Sequence, residues 1–313
     1  MLSNEDEVEY FVGILIFNPL DDPYHMERIS TCIESISKAA QKYDKKVRLA
    51  LCLNNSQVRG ENFTGIGPKT LSLLEEKINT FNLERLNYNK KNSCAQGYNY
   101  ILKHGHQNTK AKKICVMADD YIMPYFWFLV MDKNFEMYKK TSFIMPCTSF
   151  VSQENLKIDI EYHKDWDVRV AEKGYQNKTQ YKTIFSGVKQ EHVDEIASSC
   201  LRNSVVPYSH PPSFETTVFK RELIDKVGYI EDEYTQLFYD NDYFLKICNR
   251  GIRGHIAKNC FIFHYGKGGT KSYYKDTADE KYVDSPVDDL LLQDIKIWNE
   301  RTGQSVKPWW TKK

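Results

Sequence analysis

The sequence predicts an α/β protein with a mainly parallel sheet flanked by helices. Three observations carry this. Short apolar runs alternate with stretches of helical periodicity over residues 9–118, the β-α-β order of a parallel sheet. The apolar runs are continuous, as in strands buried on both faces. Several end in polar turn formers, and the carboxyl ends of strands are where open α/β sheets bind ligands.

Glu9 to Phe17 (EYFVGILIF) reads as a first buried strand, followed by a loop holding Asn18-Pro19 and Asp21-Asp22-Pro23. His25 to Tyr43 carries Ile29, Ile33, Ile36 and Ala40 at the three-and-four spacing of an amphipathic helix. Val47 to Leu53 is a second strand ending in Asn54-Asn55-Ser56. Thr70 to Phe81 is helical in pattern, Leu83 to Tyr88 is a short third strand, and Asn92 to Lys103 is a helix stopped by Gly105. The strand at 113–118 runs into Asp119 and Asp120, with Pro124 barring easy continuation.

Beyond it, Phe143 to Pro146 is strand-like, and 151–213 is an irregular, polar and aromatic insert with a helical stretch at Lys189–Arg202. Such an insert suits a substrate-specific wall or lid. Phe214 to Phe219 is a strand candidate. Lys220 to Val227 is a short helix closed by Gly228, and Asp240 to Arg250 is a helix with Gly251 after it. Ile252 to Phe263 holds two strand-like runs ending at His264. The expected organisation is one domain over 1–275 and a helical extension over 276–313.

Composition sets the bounds. A formal net charge of +1 gives no general attraction to nucleic acid. The 8 cysteines form no Cys-x-x-Cys, the nearest pair being Cys248 and Cys260, so a reduced cytoplasmic protein is expected. The polar, acidic start, Met-Leu-Ser-Asn-Glu-Asp-Glu, does not read as a signal peptide. No apolar run approaches the ~20 residues of a membrane span.

Three stretches carry candidate chemistry, each with a plainer explanation beside it. Asp119-Asp120 suits a divalent cation and a diphosphate, or is an acidic turn. Asp240 and Asp242 lie at a predicted helix start, where acids also cap backbone N–H groups. His264 leaves an apolar strand before the glycine-rich run Gly266-Lys267-Gly268-Gly269. Such a loop suits phosphate, although a lone histidine is more often structural.

In this order the stretches resemble the GT-A-fold glycosyltransferases of family 2, which are inverting nucleotide-sugar transferases. The residues that carry the resemblance are Ile14 to Asn18, Asn54-Asn55-Ser56, Asn92-Ser-Cys-Ala-Gln-Gly-Tyr-Asn99, Ala118-Asp119-Asp120, Phe219 through Gly251, and His264 to Thr270. It covers roughly residues 9–275 apart from the insert.

The resemblance implies a GT-A-type, Rossmann-like sheet and a nucleoside-diphosphate sugar donor, with a UDP-sugar favoured. The acceptor would be a hydroxyl of a glycan or glycoconjugate. Asp120 and His264 take the places of metal ligands for Mn2+ or Mg2+, and Asp119 that of a ribose or diphosphate neighbour. Asp240 stands in the position of the general base, with Asp242 as the alternative. Phe17, Asn18, Asn54, Asn55, Asn92, Gln96, Asn99 and Lys267 fall on the nucleotide-sugar side.

The chain departs from the family pattern in three places. Ala118 replaces the first acid of the Asp-x-Asp, Tyr239 replaces the Glu before the base, and Asn54-Asn55 stand where an Asp often reads uracil. Two other readings stay open: a nucleotide-sugar-binding module without turnover, and transfer to modified bases of DNA, with aromatics of the insert stacking a flipped base. A dehydrogenase is set aside because no Gly-x-Gly-x-x-Gly follows the first strand.

Overall fold

The parallel half of the sheet forms around β1 (Tyr10–Ile16), every residue of which is buried. In the computed structural model the described residues are 7–18, 21, 23–54, 66–88, 94–149, 167–175, 178–186, 188–208, 214–235, 237–265 and 286–307. Strand β1 pairs in parallel with β2 (Val47–Asn54) on one side and β4 (Lys113–Ala118) on the other, and β2 pairs with β3 (Glu84–Tyr88). Helices α1 (Pro23–Lys42), α2 (Pro68–Phe81) and α3 (Cys94–Gln107) make the crossovers.

The apolar spacing of α1 buries Ile29, Cys32, Ile33 and Ile36 against one face of the sheet. Each such side chain taken fully from water stabilises the fold by roughly 1.5–3 kcal/mol. Helix α3 covers the opposite face, and there the structure corrects the sequence reading. Gly105 does not stop the helix, which runs on to Gln107. A Cβ at Gly105 would lie 2.4 Å from Phe11 Cδ1, so glycine serves here to bring helix and strand together.

After β4 come a two-residue strand β5 (Tyr121–Ile122), helix α4 (Trp127–Met137) and strand β6 (Phe143–Thr148). Helix α4 was not expected, because its residues are apolar on most sides and lack a clean stripe; most of them are buried. The insert is not irregular throughout. It includes a hairpin of β7 (Asp167–Tyr175) and β8 (Lys178–Ser186), helix α5 (Gln190–Cys200) and strand β9 (Val205–Pro207).

The strand candidate at 214–219 is reduced to β10 (Val218–Lys220), since 214–216 form a turn. Helices α6 (Arg221–Val227) and α7 (Tyr239–Asn249) follow, then one long strand, β11 (Gly254–His264), and α8 (Pro286–Thr302). The two runs expected at 252–263 are halves of β11, separated by a bulge between Ala257 and Phe261.

The main sheet has nine strands in the order β3-β2-β1-β4-β10-β6-β11-β5, with β9 also on β11. Among the named strands, parallel pairing joins β3-β2-β1-β4 and β6–β11. Strand β10 runs antiparallel to both β4 and β6, and β5 and β9 run antiparallel to β11. The α/β class therefore stands, with a mixed second half. Among the described residues no helix is long and apolar enough to cross a membrane.

Candidate active site

The site lies beyond the carboxyl end of β4. Asp119 and Asp120 follow its last residue directly and are both buried. The next two residues form β5, which pairs with the end of β11 so that Tyr121 stands in register with His264. The Tyr265 N–H donates to the Asp120 carbonyl at 3.0 Å, locking the two segments together. This pairing carries His264 Nε2 to 3.3 Å from Asp120 Oδ2.

The imidazole of His264 is fixed from two directions. Its face stacks on the Tyr121 ring, with centroids 4.2 Å apart and planes at 11°. Its backbone is clamped by Ser149, whose Oγ accepts from His264 N–H at 2.8 Å and donates to the His264 carbonyl at 2.9 Å.

Asp119 faces the other way. Its Oδ2 accepts the Phe17 N–H at 2.9 Å, and its Oδ1 lies 3.3 Å from His25 Nε2. Burial lowers the basicity of His25, but the charges of Asp119 and then Asp120 outweigh it and raise the pKa. For Asp120, burial pushes upward, yet His264, His25 and Arg28 together hold the carboxyl below its ordinary value. Asp120 is thus held in its ionised form by the imidazoles and the guanidinium around it.

Asp240 lies in the first turn of α7, with Oδ1 accepting the Asn241 N–H at 2.8 Å. The helix is not capped by an acidic side chain; its cap residue is Phe238, in a left-handed conformation at φ 60°. Burial, with the charge of Glu215 adding to it, pushes the Asp240 carboxyl up to about 6. Glu215 also feels His264 and Asp120, so it stands electrostatically between the two groups of predicted residues.

Glu215 was missed in the sequence, as were His25 and Tyr121. Its own pKa is raised, chiefly by burial. Oε1 accepts from Tyr98 Oη at 2.7 Å and Oε2 from Tyr121 Oη at 3.0 Å. The run Phe214-Glu-Thr-Thr217 holds no motif that would have flagged it.

Several predicted residues hold the frame around this centre. Asn18 is fully buried; its Nδ2 donates to Thr70 Oγ1 at 3.0 Å and its carbonyl accepts from Gly67 N–H, so it joins β1 to the start of α2. Gln96 Nε2 donates to the Asp232 carbonyl at 3.1 Å, and Asn99 Nδ2 to the Asp232 carboxylate, tying α3 to the loop before α7. Asp242 is buried and ion-paired with Arg301 of α8, with Oδ1 3.0 Å from Nε. Asn54 closes β2, in register with Tyr88. Asn55, Asn92 and Lys267 lie outside the described residues.

The Asp120–His264 pair fits part of a cation site. Donor atoms in adjacent positions around a cation with bonds near 2.1 Å lie about 3 Å apart, close to the separation seen here. Among the described residues no group of three or more His, Cys, Asp or Glu side chains is arranged to hold a metal. Among the described residues Asp120 and His264 would be the donors to a cation here, with water and substrate oxygens able to take further positions. The nitrogen donor favours Mn2+ over Mg2+.

No protein-family model matches the chain, and no curated protein matches it in sequence. Solved structures similar to it include the crystal structure of S. aureus TarS 1-349, at 10% identity and a TM-score of 0.48, covering 95% of this chain and 73% of that one. TarS 1-349 in complex with UDP-GlcNAc gives 9% identity and a TM-score of 0.49, covering 96% and 68%. Against the longer S. aureus TarS structure, at 10% identity and a TM-score of 0.48, the match spans 86% of this chain and 38% of that one. Likeness of this order describes similarity and assigns no activity.

Proposed function

We propose that the protein is a glycosyltransferase that moves a sugar, with inversion, from a nucleoside-diphosphate donor to a hydroxyl of a glycan or glycoconjugate. The observation that carries this reading is one carboxyl group. Asp240, pushed up to about 6, shares the Glu215 charge with the Asp120–His264 pair. A general base works best with a pKa near the operating pH, and the same Glu215 charge is felt by the Asp120–His264 pair, to which this reading gives the leaving diphosphate.

Asp240 takes the proton of the acceptor hydroxyl as that oxygen bonds to the anomeric carbon. The bond from this carbon to the diphosphate oxygen breaks, and its electron pair leaves with the nucleoside diphosphate. Attack opposite the leaving group inverts the anomeric centre. Asp119 and the Phe17 N–H shape the nucleotide side, and His25 and Arg28 place positive charge near the departing phosphates. When bound, a divalent cation held by Asp120 and His264 would add charge neutralisation to the diphosphate.

The test is release of nucleoside diphosphate from UDP-, GDP- and dTDP-sugars, with and without Mn2+ and with candidate glycan acceptors. Turnover with one donor, lost in Asp240→Asn while that donor still binds, supports the reading. Normal transfer by Asp240→Asn refutes the assignment of the base. Donor binding with no turnover under any condition favours a binding module.

A further inference from the structure

Glu215 sits in a backbone that its neighbours do not choose freely. The next residue, Thr216, has φ 66°, a left-handed conformation that a β-branched side chain rarely adopts. The turn is held by the Thr216 N–H, which donates to the Val116 carbonyl of β4 at 2.8 Å. Strain of this kind persists only where surrounding contacts over-determine it, and it gathers at functional sites. Phe238, two residues before Asp240, is the other residue of a type ill suited to this region; Asp21 and Asn82 tolerate it.

The carboxylate that this turn aims inward has each oxygen occupied by a different tyrosine. Tyr121 lies flat against His264. Tyr98, on α3, packs against the ring of Tyr239 at 5.8 Å, next to Asp240 in the chain. Each oxygen thus leads, through one aromatic ring, to a different end of the candidate site.

We propose that Glu215 is a positioning residue that sets both ends of the site together, orienting His264 through Tyr121 and the Tyr239–Asp240 segment through Tyr98. This rests on the transferase reading for its consequence in turnover, but the geometry it asserts is independent of that reading. Its negative charge also adds to the burial that raises Asp240. Among the described residues, Tyr239 and Tyr208 also feel the Asp240 charge.

The experiment compares wild type with Glu215→Gln, Tyr121→Phe, Tyr98→Phe and the double Tyr98→Phe/Tyr121→Phe variant, all as the full chain. NMR on histidine- and aspartate-labelled protein reads two signatures that loss of stability alone would not move. The first is the ring-current shift that Tyr121 imposes on the His264 side-chain protons; the second is the titration midpoint of the Asp240 carboxyl. Glu215→Gln is expected to weaken the first and lower the second, and Tyr121→Phe to weaken the first.

In turnover, Glu215→Gln should lose roughly a hundredfold in kcat and also raise donor KM, the cost of misplacing both the reacting groups and His264. The double tyrosine variant should reproduce most of that loss, and it decides the matter if Glu215→Gln does not fold. Unmoved His264 signals and an unmoved Asp240 midpoint in the folded variants overturn the proposal. If the wild type transfers no sugar at all, the transferase reading falls, and the two NMR signatures still judge Glu215.

Discussion

His264 Nε2 lies 3.3 Å from Asp120 Oδ2 because a two-residue strand, Tyr121–Ile122, pairs with the end of the long strand that His264 closes. Removing either partner leaves the buried Asp120 carboxylate or the half-buried His264 imidazole without this contact. Asp120→Asn and His264→Ala are each expected to abolish any Mn2+ dependence of donor binding and to weaken that binding tenfold or more, on the order of a lost ligand position. Calorimetric titration of the donor with and without Mn2+ checks this.

Asp240 gives a pH prediction with a definite sign. Its carboxyl is raised to about 6 and must be ionised to accept a proton. The acid limb of kcat/KM should therefore rise through about pH 6 and level off above it. Asp240→Asn should remove about 10²- to 10⁴-fold of the rate. A pH–rate profile of wild type and single-turnover assays of the variant measure both.

Asp132 tests stability away from the site. It is buried and accepts from Tyr10 Oη at 2.7 Å, Lys113 Nζ at 2.6 Å, Lys45 Nζ at 2.5 Å and Tyr43 Oη. Burial works against ionisation, but these four donors hold the carboxyl down at about 2, against 3.8 for a free side chain. A depressed acid contributes stability above its unfolded pKa and loses it as pH falls through the folded value. The contribution is about 2 kcal/mol at neutral pH, lost between roughly pH 4 and pH 2. Asp132→Asn should show reduced stability at pH 7 by urea unfolding, and a difference from wild type that shrinks in acid.

The C-terminal helix gives a fourth test. Asp294 of α8 is fully buried; its carboxylate takes the Thr235 N–H at 2.8 Å, the Thr235 hydroxyl at 2.9 Å and the Leu237 N–H at 2.8 Å. Trp298 stacks on Phe238 at 5.1 Å and 14°. The loop that delivers Asp240 is thus moulded by residues far along the chain. Asp294→Ala should speed hydrogen exchange at the Thr235 and Leu237 amides and lower turnover, while β1 amides stay protected. Hydrogen-exchange mass spectrometry reads the contrast.

The parallel half of the sheet was legible because β1 and β4 are nearly continuous apolar runs, which mark burial on both faces, while β3 buries only Leu86 and Tyr88 in alternation. Asp119, Asp120 and His264 were legible because they end such runs. Glu215 was not: its role comes from a left-handed Thr216 and from two tyrosines on other elements, and neither leaves a local pattern. Asp242 and Asn99 took their site roles from the resemblance, and the structure gives them Arg301 and Asp232 as partners. Charged and amide side chains near a helix start look alike in sequence, whether they face a ligand or a neighbouring helix. Short β10 was overdrawn because Phe214 is as apolar and buried as a strand residue while lying in a turn.

Strand β10, only three residues long, fills the gap between β4 and β6. Both flanking strands are synthesised well before it, so a nascent chain ending short of Val218 exposes two facing ladders with no occupant, an invitation to intermolecular pairing. The closing piece carries Glu215 just ahead of it. Completion of the central wall and arrival of that carboxylate are therefore a single event in the chain's maturation.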